Sequence, residues 1–228
     1  MSLETYTVLF QAVAFLFAIS VHESAHAWTA NRCGDPTARM LGRITLNPIK
    51  HIDPIGTIVM PAIAYFTGFP MIGWAKPTPV DTRHFKNPVW DDIKTSMAGP
   101  ISNLMIATGS VIVLGVISKT GDFGHQVVQI VGTGGVPDSR SPLVPLALLA
   151  YQFLIMNIIL AAFNVIPIPP LDGSHVLRHF LPENMRRAYD MIGMFGLVIL
   201  LLAGGRLLGF FAAPLFHFFG YIIAKINA

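Results

Sequence analysis

Long apolar runs separated by short polar or basic loops set the pattern of this chain. The first run carries no charge from Thr5 to Val21. It predicts a helix from about Tyr6 to Asn31, long enough to cross a bilayer. Gly34 then offers a helix stop, and Asp35-Pro36 forbids continuation. Thr37 to Leu46 alternates imperfectly between apolar and polar positions, which predicts a short strand closed by Asn47-Pro48. A second apolar stretch is charge-free from Pro54 to Ala75, but Pro54, Pro61 and Pro70 with Gly56, Gly68 and Gly73 break it up. Gly73 to Val80 reads as extended, because Pro77 and Pro79 exclude a helix interior. Further spans are expected over Ile93–Ser118 and from Pro142 to about Ile166. Between them the Gly-rich, nearly charge-balanced stretch Lys119–Arg140 reads as an outer loop. The last runs, Met191–Gly204 and Leu207–Ala224, are divided by Gly204-Gly205-Arg206 and predict a helical hairpin.

Charge turns this pattern into a topology. Arg32, Arg39, Arg43 and Lys50 precede the broken stretch 54–75, and Lys76, Arg83, Lys86 and Lys94 follow it. Loops rich in Lys and Arg stay on the cytoplasmic side. Both flanks on one side make 54–75 a re-entrant or surface-lying segment. The expected fold is an all-α polytopic membrane protein with about five transmembrane helices, that segment, and short β-strands. Five crossings put the N-terminus outside and the C-terminus inside. Met1 to Thr5 lacks a basic region, so the first run is expected to be a helix of the protein and not a cleaved leader. The apolar runs and short loops use up residues 1–228, so one domain is expected.

Composition agrees: 53% of residues are hydrophobic and 12% charged, and mean hydropathy is +0.60. The charged share is about half that of a soluble domain. Cys33 is the single cysteine, which excludes an internal disulfide and a Cys-rich metal site. A net charge of +3, gathered in loops, suits orientation in a lipid bilayer and not nucleic-acid binding.

The chemistry lies late in the first run, at His22-Glu23-Ser24-Ala25-His26. On a helix this spacing puts two imidazoles on one face, able to share a zinc ion, with Glu23 beside them to handle a proton. Ionisable groups inside a membrane segment are costly without a metal, a partner or water, so they mark function. The alternative is a helix that merely ends in a polar turn. A second informative stretch is Asn164-Val165-Ile166-Pro167-Ile168-Pro169-Pro170-Leu171-Asp172-Gly173. Asp172 ends a charge-free run from Ser141 to Leu171, and it is either a third metal ligand or the N-cap of a helix over 173–181. Beside His22 and His26 the ligand reading is preferred. Asn103, in Gly99-Pro100-Ile101-Ser102-Asn103, reads as an interhelical hydrogen-bonding group or a catalytic one. His175 and His179 suit a surface helix better than a second metal site. His51 reads as a solvated loop residue or a group lining the way in, and His217 as a residue needing a partner within its apolar run.

Together His22-Glu23-x-x-His26, the Gly99-Pro100…Asn103 helix and Asn164…Leu171-Asp172-Gly173 resemble the site-2 protease family of intramembrane zinc metalloproteases. The similarity covers nearly the whole chain, in a short form without PDZ or paired regulatory domains. It implies Zn2+ held by His22, His26 and Asp172, with Glu23 as general base. It also implies that Asn164 positions substrate or stabilises an oxyanion, and that Gly73-Trp74-Ala75-Lys76 corresponds to a β segment near the active site. The implied substrate is a transmembrane protein or peptide. Pro77 and Pro79 deprive one edge of the 73–80 segment of donors, so its other edge (Lys76, Thr78, Val80) is expected to bond either the 39–46 strand or unwound substrate. The rival readings are an intramembrane metal transporter and a catalytically inactive relative that binds membrane segments.

Overall fold

The fold was analysed in a computed structural model that describes residues 3–67, 75–193 and 195–227. Helix α1 (Leu3–Cys33) runs for 31 residues. Gly34 ends it in the left-handed region, at φ 119°. The N–H of Asp35 reaches back to the Ala30 carbonyl at 2.9 Å and that of Gly34 to Asn31 at 3.3 Å, which closes the helix in a Schellman motif. A side chain at Gly34 would also meet the His84 carbonyl oxygen at 2.7 Å. Asp35, fully buried, does more than stop the helix. It accepts from the Thr37 N–H and hydroxyl and from the Asp81 N–H, which ties residues 75–81 to the end of α1. Burial alone would raise its carboxyl; the Thr37 hydroxyl and the two backbone donors hold it below the usual carboxylate range.

The strand expected over Thr37–Leu46 does not form. Thr37–Met40 is a short helix, α2, and Gly42, at φ 66°, turns the chain back. The Arg43 side chain, buried beside this turn, replaces the expected ladder. Its guanidinium donates to the carbonyls of Lys50, Lys76 and Pro77. One planar group with several fixed donors thereby satisfies carbonyls that strand pairing would have served. No strand is assigned among the described residues. His51, expected to be solvated, is buried, and its Nε2 lies 2.8 Å from the Thr45 carbonyl.

Asp53 caps a wide helical turn over Pro54–Val59, accepting from the N–H groups of Ile55 and Gly56, and α3 (Met60–Thr67) follows. At about 1.5 Å per residue α3 is far shorter than a bilayer. The Lys76 N–H bonds the His51 carbonyl at 2.9 Å, so the chain leaves and re-enters at one place. Residues 68–74, with Gly73 and Trp74, lie outside the described residues.

Helix α4 (Pro88–Ser118) starts with Pro88, whose fixed φ suits a first turn. It packs on both α1 and α6 (Leu143–Val165) and is the central element. The stretch expected to be a loop holds α5 (Asp122–Gly132). Val127, Val128 and Val131 are buried on one face of α5, against Leu114 and Ile117 of α4 and Leu154 and Ile158 of α6. Gly124 permits this approach, since a Cβ there would lie 2.2 Å from the Ile117 carbonyl oxygen. Two amphipathic helices follow, α7 (Asp172–Phe180) and α8 (Glu183–Gly193).

The expected C-terminal hairpin is one continuous helix, α9 (Gly196–Ile226). Gly204-Gly205-Arg206 does not break it. Glycine is tolerated in membrane helices, where water offers no rival partner for the backbone. Ser118 Oγ lies 2.5 Å from Asn227 Oδ1, so α4 and α9 end together and run parallel. Among the described residues four helices are long and apolar enough to cross a membrane, over Thr7–Cys33, Pro88–Ser118, Leu143–Val165 and Val198–Ile226, against an expectation of about five.

Candidate active site

One turn of α1 separates His22 from His26, and both rings are buried against α4. Gly99 makes the space for them. A Cβ at residue 99 would lie 2.4 Å from His26 Nε2 and 2.6 Å from His22 Nε2. Each ring is then aimed by its second nitrogen. His26 Nδ1 lies 2.6 Å from the Thr95 carbonyl, which only accepts, so that nitrogen carries the proton. His22 Nδ1 lies 2.6 Å from Asn103 Oδ1. Both Nε2 atoms are left as acceptors, 3.0 Å apart.

Asp172 is brought to the same point by the turn after α6. Gly173 packs against the end of α6, where a Cβ would lie 2.1 Å from the Val165 carbonyl oxygen. Gly196 packs on the Pro169 carbonyl, and a Cβ there would be 1.8 Å from its oxygen. Asp172 is the first residue of α7, with Leu171 at the N-cap and no side-chain capping hydrogen bond from that position. Its Oδ2 lies 3.2 Å from His22 Nε2 and 3.3 Å from His26 Nε2 and has no hydrogen-bond donor.

Three converging acceptor atoms, buried and mutually repulsive, fit a cation. Tetrahedral zinc with bonds of about 2.0–2.1 Å sets its ligand atoms roughly 3.3 Å apart, which matches these separations. Among the described residues this is the one cluster of His, Cys, Asp and Glu side chains able to hold a metal ion.

Glu23, half-buried on the same turn of α1, is held by Thr78. The Thr78 N–H and hydroxyl both donate to Glu23 Oε2, at 2.9 and 2.7 Å. The hydroxyl also lies 3.0 Å from the Glu23 carbonyl oxygen. Two donors of the 76–80 edge thus go to partners other than a 39–46 strand. The Lys76 N–H goes to His51 and the Thr78 N–H to Glu23, because a half-buried carboxylate competes well for donors. Thr78 was singled out in the sequence for its N–H alone, and nothing there marked Glu23 as its partner.

Asn164 stands apart. Its amide donates to the Leu160 carbonyl at 3.0 Å, one turn back in α6, and it makes no hydrogen bond to the ligand set among the described residues. His179 Nε2 lies 2.7 Å and His175 Nδ1 3.9 Å from Asp92 Oδ2, which ties α7 to α4. His217 is exposed on α9, beside Ile159, Gly205 and Gly209. Asn103 takes its interhelical role, with Nδ2 donating to Asn157 Oδ1 on α6 at 2.7 Å. Asn157 was missed in the sequence; its only signal is an amide inside a charge-free apolar run.

Helices of membrane-spanning length with a two-histidine, one-carboxylate cluster able to hold a metal ion among them fit a multi-pass membrane protein with a candidate metal centre. Residues 10–203 match Peptidase family M50. "Putative zinc metalloprotease YwhC" of Bacillus subtilis is 34% identical over 201 residues, covering 88% of this chain and 80% of the relative. "Putative zinc metalloprotease Rip2" of Mycolicibacterium smegmatis is 28% identical over 209 residues, covering 91% and 71%. No solved structure matches the chain. The chain belongs to peptidase family M50, the site-2 protease family. Membership makes it a membrane metalloprotease and makes zinc its cofactor.

The packing of both imidazoles on Gly99 yields a direct expectation. Gly99→Ala should weaken Zn2+ binding by roughly ten- to a hundredfold, since overpacking of this kind costs about 1–3 kcal/mol. Competition with a chromophoric chelator measures it; unchanged affinity would show that the rings do not need that space.

Proposed function

We propose that this protein hydrolyses a peptide bond within or beside a transmembrane segment of a membrane protein substrate, using zinc held by His22, His26 and Asp172. The observation that carries the reading is the convergence of the three donor atoms beside a glutamate whose two oxygens are not equivalent. Zinc, when bound, supplies Lewis acidity and lowers the pKa of a water toward neutrality. Glu23 is the general base. Thr78 occupies Oε2, so Oε1 is the oxygen that takes the proton from water and later gives one to the leaving amine. Burial of His22 and His26 between α1 and α4 excludes bulk water and keeps their ring orientation fixed. Asn164 would stabilise the developing oxyanion, and to do so its amide must turn away from the Leu160 carbonyl. A substrate helix hides its carbonyls in hydrogen bonds, so the cleaved segment must unwind first. A transporter would want ligand sets at several depths, and the described residues hold one. An inactive relative has no use for a glutamate anchored beside the cluster.

Glu23→Gln should keep zinc and lose cleavage by about 10²–10⁴-fold, the range of general acid–base catalysis. Asp172→Ala should lose cleavage and zinc together. Cleavage of a purified transmembrane peptide, with metal content measured on the same samples, tests both. Full zinc affinity and turnover in Asp172→Ala would remove Asp172 from the metal site.

We infer an even number of crossings, with α1 entering from the outside and the metal cluster toward the cytoplasm. The C-terminus then lies outside with the N-terminus, and not inside as five crossings required, and it sits beside the 119–142 connection that Ser118 and Asn227 join. Single-cysteine labelling in a Cys33→Ser background should reach residues 2 and 228 from one face and residues 45 and 84 from the other. Labelling of 45 and 84 from opposite faces would show that 54–75 crosses.

A further inference from the structure

His22 is aimed by a chain of side-chain amides that runs across α1, α4 and α6. Asn157 Nδ2 donates to the Phe153 carbonyl at 2.8 Å, and Asn157 Oδ1 accepts from Asn103 Nδ2 at 2.7 Å. Asn103 Nδ2 also faces the Ala18 carbonyl at 3.4 Å, and Asn103 Oδ1 faces His22 Nδ1 at 2.6 Å. Both asparagines are fully buried. Two backbone carbonyls anchor the chain, and a carbonyl can only accept. Phe153 therefore fixes which way Asn157 points. Asn157 then fixes Asn103, and the Ala18 carbonyl enforces the same choice. Asn103 presents an oxygen to His22, so the proton of that ring sits on Nδ1 and the lone pair sits on Nε2. Turning either amide over would set oxygen against oxygen with no water to relieve it.

We propose that Asn157 is a positioning residue for the metal centre: acting through Asn103, it fixes the His22 tautomer that leaves Nε2 free for zinc. This rests on His22 being a zinc ligand. A mere tie between helices would need hydrogen bonds but would not need one direction along the whole chain. His26 receives the same instruction from the Thr95 carbonyl without an intermediary, so His22 is the ligand whose tautomer depends on side chains.

The test reads the proton directly. In metal-free protein carrying nitrogen-15 histidine, NMR should find the neutral His22 ring protonated on Nδ1. Asn157→Leu, with the same branched shape and no polar atoms, should shift His22 toward the Nε2–H form and weaken Zn2+ binding about ten- to a hundredfold, the cost typical of losing an outer partner of a ligand. Asn157→Asp should stay near wild type in both readouts. In an apolar interior its carboxyl is protonated, so its O–H serves Phe153 and its carbonyl serves Asn103. A wild-type His22 protonated on Nε2, or Asn157→Leu with unchanged tautomer and zinc affinity, would overturn the relay. If Asn157→Leu does not fold, the wild-type tautomer and the zinc affinity of Asn157→Asp decide, and a tenfold loss in the latter counts against it. His22→Ala, run alongside, should abolish tight zinc binding; if it does not, the ligand assignment fails and not the relay alone.

Discussion

Two imidazole nitrogens and a carboxylate oxygen, each about 3 Å from the others and sealed between apolar helices, repel one another unless a cation lies among them. The rest of the structure arranges itself around that requirement. α1 supplies the imidazoles one turn apart. α4 supplies Gly99, whose missing side chain admits both rings, and the carbonyl of Thr95 and the amide of Asn103, which turn the rings outward from their Nδ1 sides. The turn after α6 swings Asp172 into place, and Gly173 and Gly196 let that turn press against its neighbours. Removing water from such a site strengthens every interaction within it, including the repulsion that a metal would relieve.

A second layer of control comes from the extended strap over residues 75–81. It is fixed to the protein by Arg43 at its carbonyls, by Asp35 at the Asp81 N–H and by Glu23 at Thr78. The strap and Glu23 are thus one unit. Anything that displaces the strap also releases Glu23 Oε2, so changes in the 37–51 loop can reach the active site through Arg43 without touching the metal.

How much of this was legible in the sequence depends on the range of the interaction. His22, Glu23 and His26 are visible because a helix puts residues one turn apart on the same face, a purely local rule. Asp172 stands out because a charge in a long apolar run demands a partner. Gly34 and Asp35-Pro36 announce the end of α1 by backbone sterics alone. The misses are long-range. Arg43 supplies from its side chain what a strand ladder would have supplied, and no alternation pattern reveals that. Gly204-Gly205 signals a break in water, yet inside an apolar helix it breaks nothing. α5 was hidden because glycines at both its ends drew attention away from Val127, Val128 and Val131. Thr78 and Asn157 acquire their importance from partners 55 and 54 residues away.

The central claim is the composition of the metal's inner shell, and X-ray absorption at the zinc edge reads it directly. The account predicts one zinc per chain bound by nitrogen and oxygen atoms only, at about 2.0–2.1 Å, with two imidazoles in the shell and one oxygen fewer in Asp172→Ala. A sulfur scatterer from Cys33, or a shell unchanged in Asp172→Ala, would contradict it.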